Sequence, residues 1–174
     1  MANQIPEKVI NFEVYLDSVT LLGMADVQLP DIESMTETVK GAGIAGEIET
    51  PTLGHFGSMT ATLNFRTVTT DVVKMSAQKV HHIDVRGAIQ VLDAGAGTYR
   101  AVPCKVVMRG ITKKTGLGKL EPGAAMDTST EMEVVYMKIT LDGVDRIELD
   151  KFNFVHVVDG VDYMSSIRTA LGRA

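Results

Sequence analysis

From Met59 to Arg66 apolar and polar side chains alternate without a break. Met59, Ala61, Leu63 and Phe65 oppose Thr60, Thr62, Asn64 and Arg66. A period of two puts each set on its own face of an extended strand, one face buried and the other wet. The pattern recurs over residues 9–16, 34–39, 82–92, 99–108 and 130–141. Turn chemistry separates these runs. Asp17-Ser18, the stretch from Asp93 to Gly97, and Asp142-Gly143 each fall between two of them. Asp-Gly between alternating runs is a strong hairpin signal.

Two helices interrupt the strands. One is expected over residues 71–77, capped by Thr69 or Thr70, with Val72, Val73 and Met75 as its apolar stripe. The other is expected over 163–171, with Asp162 before it and Gly172 past its end. Its stripe is Tyr163, Ile167, Ala170 and Leu171. With 19–29 (stopped by Pro30) and 146–158 also extended, about seven strands result. The fold class is mainly β: an antiparallel sandwich or barrel-like domain with a short internal helix and a C-terminal helix. The 174 residues fit one domain, 1–174, with an N-terminal arm (1–8) and long loops at 40–54 and 112–128.

One run breaks its own rule. In 130–141, Glu131 and Glu133 share parity with Val135, Met137, Ile139 and Leu141. A bulge, or a strand passing from one environment to another, would explain the change of phase.

Several function classes fall away. Lys plus Arg is 17 and Asp plus Glu is 22, a net charge of −5. That argues against gripping nucleic acid through phosphate contacts. The lone Cys104 excludes an intramolecular disulfide and multi-cysteine zinc sites, and reads as a buried thiol in a strand. Gly41, Gly43 and Gly46 spell G-x-G-x-x-G, but Glu47, Glu49 and Pro51 follow where a phosphate-binding helix would start. His81 and His82 are adjacent, so a strand points them to opposite faces. Ser165-Ser166 lacks a nucleophile-elbow context. Neither catalytic residues nor a metal or cofactor site is expected. No apolar run approaches the roughly 18 residues of a membrane span. The polar start, with Glu7 and no apolar core behind it, predicts a protein that is made and stays in the cytosol unless a whole assembly carries it out.

The C-terminal third, from Asp145 through Lys151, Asn153 and Gly160 to Asp162 and then Ile167 to Gly172, resembles the major tail tube proteins of contractile-tailed bacteriophages, the P2-like tube family. That family has a strand with a D-K-x-N-like core, a G-x-D turn, and a closing helix ending R-x-A-L-G. Pro6 to Leu16, Leu29-Pro30 and the loop from Gly41 to Gly46 fall where the family has its counterparts. The resemblance spans essentially the whole chain; 112–129 matches least.

The resemblance implies a structural protein rather than an enzyme. Six copies form a ring whose sheets join into an inner barrel. Rings stack into a tube inside a sheath, and contraction drives the tube through the target envelope. In a phage, DNA then passes down the lumen as transient, non-specific cargo; headless bacteriocins use related tubes. The implied partners are other copies of the chain, the sheath, and the baseplate and terminator proteins. The implied location is the virion tail, assembled in the bacterial host cytoplasm, without stable membrane association.

The residues agree with this at three points. Joined strands satisfy open sheet edges. A ring of six would carry roughly −30, and a lumen of that sign repels phosphates. Long glycine-rich loops suit segments ordered by stacking. Lys40, Gly41, Gly43, Ile44, Gly46 and Glu47, with Lys113, Lys114 and Lys119, are the expected ring-stacking residues. Thr60, Thr62, Asn64 and Arg66 are expected to line the lumen or an intersubunit sheet, and Ile167 and Arg168 to make a helix contact. The alternative is a monomeric β-sandwich module binding peptide or carbohydrate, but nine aromatics without tryptophan make a poor groove. A small hydrolase or nucleotide enzyme comes third, its one motif failing its context.

Overall fold

A computed structural model describes residues 4–23 and 25–173. The chain runs through β1 (Gln4–Leu16), β2 (Thr20–Leu21), β3 (Ala25–Gln28), β4 (Ser34–Lys40), β5 (Glu47–Phe56) and β6 (Thr60–Phe65) to helix α1 (Thr70–Met75). Then follow β7 (Val80–Asp93), β8 (Thr98–Gly116), β9 (Thr128–Leu141), β10 (Val144–Asp150), β11 (Val155–Val158), β12 (Val161–Asp162) and helix α2 (Ser165–Ala170). The fold is mainly antiparallel β and sandwich-like, as expected from the alternation.

Ten strands form one sheet in the order β12-β11-β10-β9-β8-β7-β1-β2, with β6 joined to β9 and β3 joined to β6. β4 and β5 make a separate hairpin. One edge of β9 serves two partners: Thr128–Glu133 pairs with β6, and Tyr136–Leu141 with β10. The sheet forks there. Leu63 and Phe65 of β6 share one core with Val14 and Leu16 of β1 and Ile83 of β7. Val72 and Met75 of α1 complete it, with Thr69 accepting from the Val72 N–H as the cap. The sheet does not close, because β3 and β1 do not pair.

The fork is where the phase of β9 changes. Arg109 and Gly110 face Tyr136 and Val134, so Val135 is an extra residue, a β-bulge. Met132 and Val134 are buried before it and Met137 after it, while Glu131, Glu133 and Lys138 stay on the outer face. Neighbours take up the freed backbone groups. The Val134 N–H donates to the Met59 carbonyl, and the Val135 carbonyl accepts from the Lys151 N–H.

Among the described residues there are twelve strands rather than the seven or so expected: the runs 19–29 and 146–158 are each cut in two, and β5 and β12 fall where no strand was expected. The 19–29 run is β2 and β3, broken around Gly23; its residue 24 lies outside the described residues. Residues 146–158 divide into β10 and β11 at a turn where Phe154 takes φ 52°. The loop at 40–54 is mostly strand: cross-strand pairing holds β5 extended through Pro51, leaving 41–46 as the turn. The loop at 112–128 shrinks to 117–127, because β8 runs on to Gly116. The arm joins the sheet from Gln4, paired with Asp93, and residues 1–3 lie outside the described set. α2 is shorter than expected and buries no residue; Tyr163 and Leu171 of its stripe are exposed.

The 117–127 loop is pinned. The Lys119 N–H donates to the Met126 carbonyl, and the Met126 N–H to Arg66. Gly118 holds φ +73°, and a Cβ there would overlap the Met126 carbonyl. Gly118→Ala is expected to cost about 1–2 kcal/mol and to detach the loop. Faster proteolysis between residues 117 and 127 would register it; an unchanged cleavage rate would contradict it.

Candidate assembly surfaces

The side chains opposite the core form a polar face across the large sheet. β1 contributes Glu13 and Tyr15, β7 Asp84 and Arg86, β8 Lys105 and Arg109, β9 Tyr136 and Lys138, and β10 Glu148. Nearly every cation there has a partner. Arg86 and Lys105 lie 3.0 and 3.5 Å from Asp84. Lys138 reaches Asp145 at 2.6 Å and Glu148 at 3.8 Å. Arg109 covers the Tyr136 ring at 4.6 Å, and the Tyr136 hydroxyl donates to Glu148. Asp84 is 1% exposed. Burial pushes its carboxyl up, but Arg86 and Lys105 outweigh burial and hold it below the usual range.

Glu133 is the junction of the fork. It accepts from Ser58 Oγ (2.6 Å), the Met59 N–H (3.1 Å), Lys113 Nζ (3.2 Å) and Lys151 Nζ (3.4 Å). Burial raises its pKa, yet these bonds dominate and bring it down to about 2. Lys113 is the extra residue of a second bulge, on β8, and also donates to Thr60 at 2.7 Å. Two groups expected to act separately, the polar face of β6 and the lysines of 113–119, therefore meet at Thr60. Lys114 pairs with Glu131 and Lys119 with Glu121. The expected basic loop patch is thus two strand lysines and one loop lysine, each already matched.

Thr60 and Thr62 are half-buried, while Asn64 and Arg66 are exposed. Asn64 and Arg66 line an open groove of about 920 Å³ with Glu13, Asp26 and Asp127, where β1 and β3 fail to pair. A smaller apolar groove of about 220 Å³ on the same seam contains Cys104. Cys104 is only half-buried, and burial pushes its thiol up, away from a reactive thiolate.

The β4–β5 hairpin stands apart from the core. Every residue from Ser34 to Leu53 is exposed except Ile44 in the turn, which is half-buried. Lys40 and Glu47 close the turn at 3.4 Å, with Gly41, Gly43, Ile44 and Gly46 between them. Gly43 and Gly46 take positive φ and open no helix, which accounts for two of the three glycines. The base is fixed. The Gly57 N–H donates to the Glu33 carbonyl, and Phe56 meets the His156 ring edge-on at 4.9 Å. Gly54, at φ +70°, lies against buried Met164. Gly54→Ala would overlap the Met164 sulfur and methyl and is expected to cost about 1 kcal/mol. A two-dimensional NMR map should show it as shifts at Met164 and along β5; shifts confined to residue 54 would contradict it.

Arg168 of α2 pairs with Asp162 and donates to the Phe154 carbonyl, so its guanidinium serves the subunit's own C-terminal turn. Ile167 is half-buried.

The family model for phage tail tube protein FII matches residues 6–172. The chain belongs to this tail tube family. It is 25% identical over 173 residues to the tail tube protein of Escherichia phage P2, covering 97% of this chain and 98% of that protein. It is 24% identical over 170 residues to the major tail tube protein of Serratia phage KSP20, covering 97% of each. The tube subunit is therefore a structural component of a virion tail, in a family of structural proteins rather than enzymes. None of its described helices is long and apolar enough to cross a membrane. For such a subunit the relevant geometry is its surfaces. The Glu133 junction escaped sequence reasoning, although the broken parity of Glu131 and Glu133 pointed at it. Nothing in the sequence marked Asp84.

Proposed function

We propose that six subunits close into a ring and that rings stack into the hollow inner tube of a contractile tail or tail-like particle. A surrounding sheath contracts and drives the tube through the target envelope; in a phage, DNA passes down the lumen. Baseplate and terminator proteins bound the two ends, and assembly takes place in the host cytoplasm. The observation that carries this is the β4–β5 hairpin, exposed from Ser34 to Leu53 apart from Ile44, in a chain of a tail tube family. A two-stranded hairpin is marginal alone in water. A neighbouring ring, contacting Met35, Val39 and Ile48 and the turn from Lys40 to Glu47, supplies what it lacks.

The polar sheet face, extended through Thr60, Thr62, Asn64 and Arg66, is the lumen or the intersubunit surface. Its matched ion pairs support the conduit role, because passing phosphates find few free cations to hold them. Lys113, Lys114 and Lys119 join the stacking contact only by exchanging their own carboxylates for a neighbour's. Ile167 and Arg168 lie toward a ring or sheath contact.

Negative-stain microscopy of the purified subunit over a concentration series, with its mass in solution, tests the proposal. Hollow rings or tubes with six-fold averages are expected. A strict monomer that a matched baseplate or tube end fails to seed would overturn it.

A further inference from the structure

We infer that the outer edge of β4 is a strand-addition site for a second copy of this chain. The inference rests on the tube reading and specifies how the hairpin docks. Unpaired strand edges invite other strands, and proteins blunt them with short strands, prolines, bulges and charges. Among the described residues the other edges carry such devices. β2 and β12 have two residues each, and β3 and β11 four. The free edge of β1 holds Pro6, Lys8 and bulges at Glu7 and Ile10. β5 holds Pro51 in mid-strand and Gly54 at φ +70°.

β4 is blunted least. Its seven residues contain no proline and all are exposed; its charges are Glu37 and Lys40, its one irregularity falls at Met35, and from Thr36 to Lys40 it pairs in regular register with β5. Its opposite side has no partner strand among the described residues. An added strand would complete those backbone bonds, with Met35 and Val39 on one face and Thr36 and Thr38 on the other.

Charge narrows the occupant. The hairpin strands carry Glu37, Glu47 and Glu49 against Lys40. Each hairpin thus carries a net negative charge on its strands, so two laid edge to edge repel, which disfavours a self-complementary pair. The second copy therefore offers a different segment. Such a head-to-tail contact repeats from copy to copy, closing into a ring where its rotation closes and running along an axis where it does not.

Amide hydrogen exchange on the free subunit and on its polymer, grown alone or from a tube seed, tests this. The outward-pointing amides between Thr36 and Lys40 are expected to slow by about 100-fold on assembly. The double variant Thr36→Lys/Thr38→Lys is expected to keep the subunit's melting temperature and slow polymer growth by at least about tenfold. Polymer in which these amides still exchange at the free-subunit rate would overturn the inference and leave the tube reading standing. No polymer, seeded or unseeded, would overturn both.

Discussion

Glu133→Gln is expected to destabilise the free subunit by about 2–3 kcal/mol at neutral pH. The substitution keeps the shape and removes the charge. Lys113 and Lys151 then lose their shared carboxylate at the fork, and the amide nitrogen meets donors wherever it points. The pH dependence follows from the folded pKa of about 2, below the ordinary value of 4.5. A depressed carboxyl contributes its full stability above the unfolded pKa. That contribution is lost as pH falls through the folded one. The wild-type chain should therefore lose stability between roughly pH 5 and 2 more steeply than the variant, with the two curves converging at the acid end. Urea unfolding at four or five pH values across that range reads both. Parallel curves would mean that the junction does not store this free energy.

The second large effect concerns assembly. Met35, Val39 and Ile48 are 55%, 43% and 50% exposed; Val39 pairs with Ile48 across the hairpin, and Met35 shares the alternation of Val39 along β4. Replacing all three with Thr should leave the subunit's stability within about 0.5 kcal/mol, since none packs on the core. If a neighbouring ring covers them, each contributes about 1 kcal/mol to that contact. Three together weaken one contact by about a hundredfold, and the repeated contacts of a ring multiply the loss. Sedimentation of the variant should show folded subunits that no longer form long tubes. Tubes of ordinary length from the triple variant would move the stacking contact away from this face.

A net charge of −5 per subunit predicts a negative lumen only if the charge lies there. The sheet face instead balances acids with bases, Asp84 against Arg86 and Lys105, and Glu148 and Asp145 against Lys138. The hairpin strands hold three glutamates against one lysine. If this face lines the lumen as proposed, cargo release rests on cations already engaged rather than on bulk repulsion.

What the sequence alone determined was local. Alternation over 59–66 fixed β6 and its buried face, because a period of two has one extended solution. Asp142-Gly143 fixed the β9–β10 hairpin, since both residues accept positive φ. The parity break at Glu131 and Glu133 marked the bulge, because burial on one face cannot survive a slip without an extra residue. Tertiary structure decided the rest. β5 forms despite Pro51 because β4 pairs with it, a partner that local composition cannot reveal. Lys113 and Lys114 read as a loop patch, yet become strand residues because β9 offers Glu131 and Glu133 across the ladder. The stripe of α2 predicted burial, but a helical period says only that one face is apolar. Whether a core lies against that face depends on where the chain has already spent its contacts, and in the free subunit that face stays open.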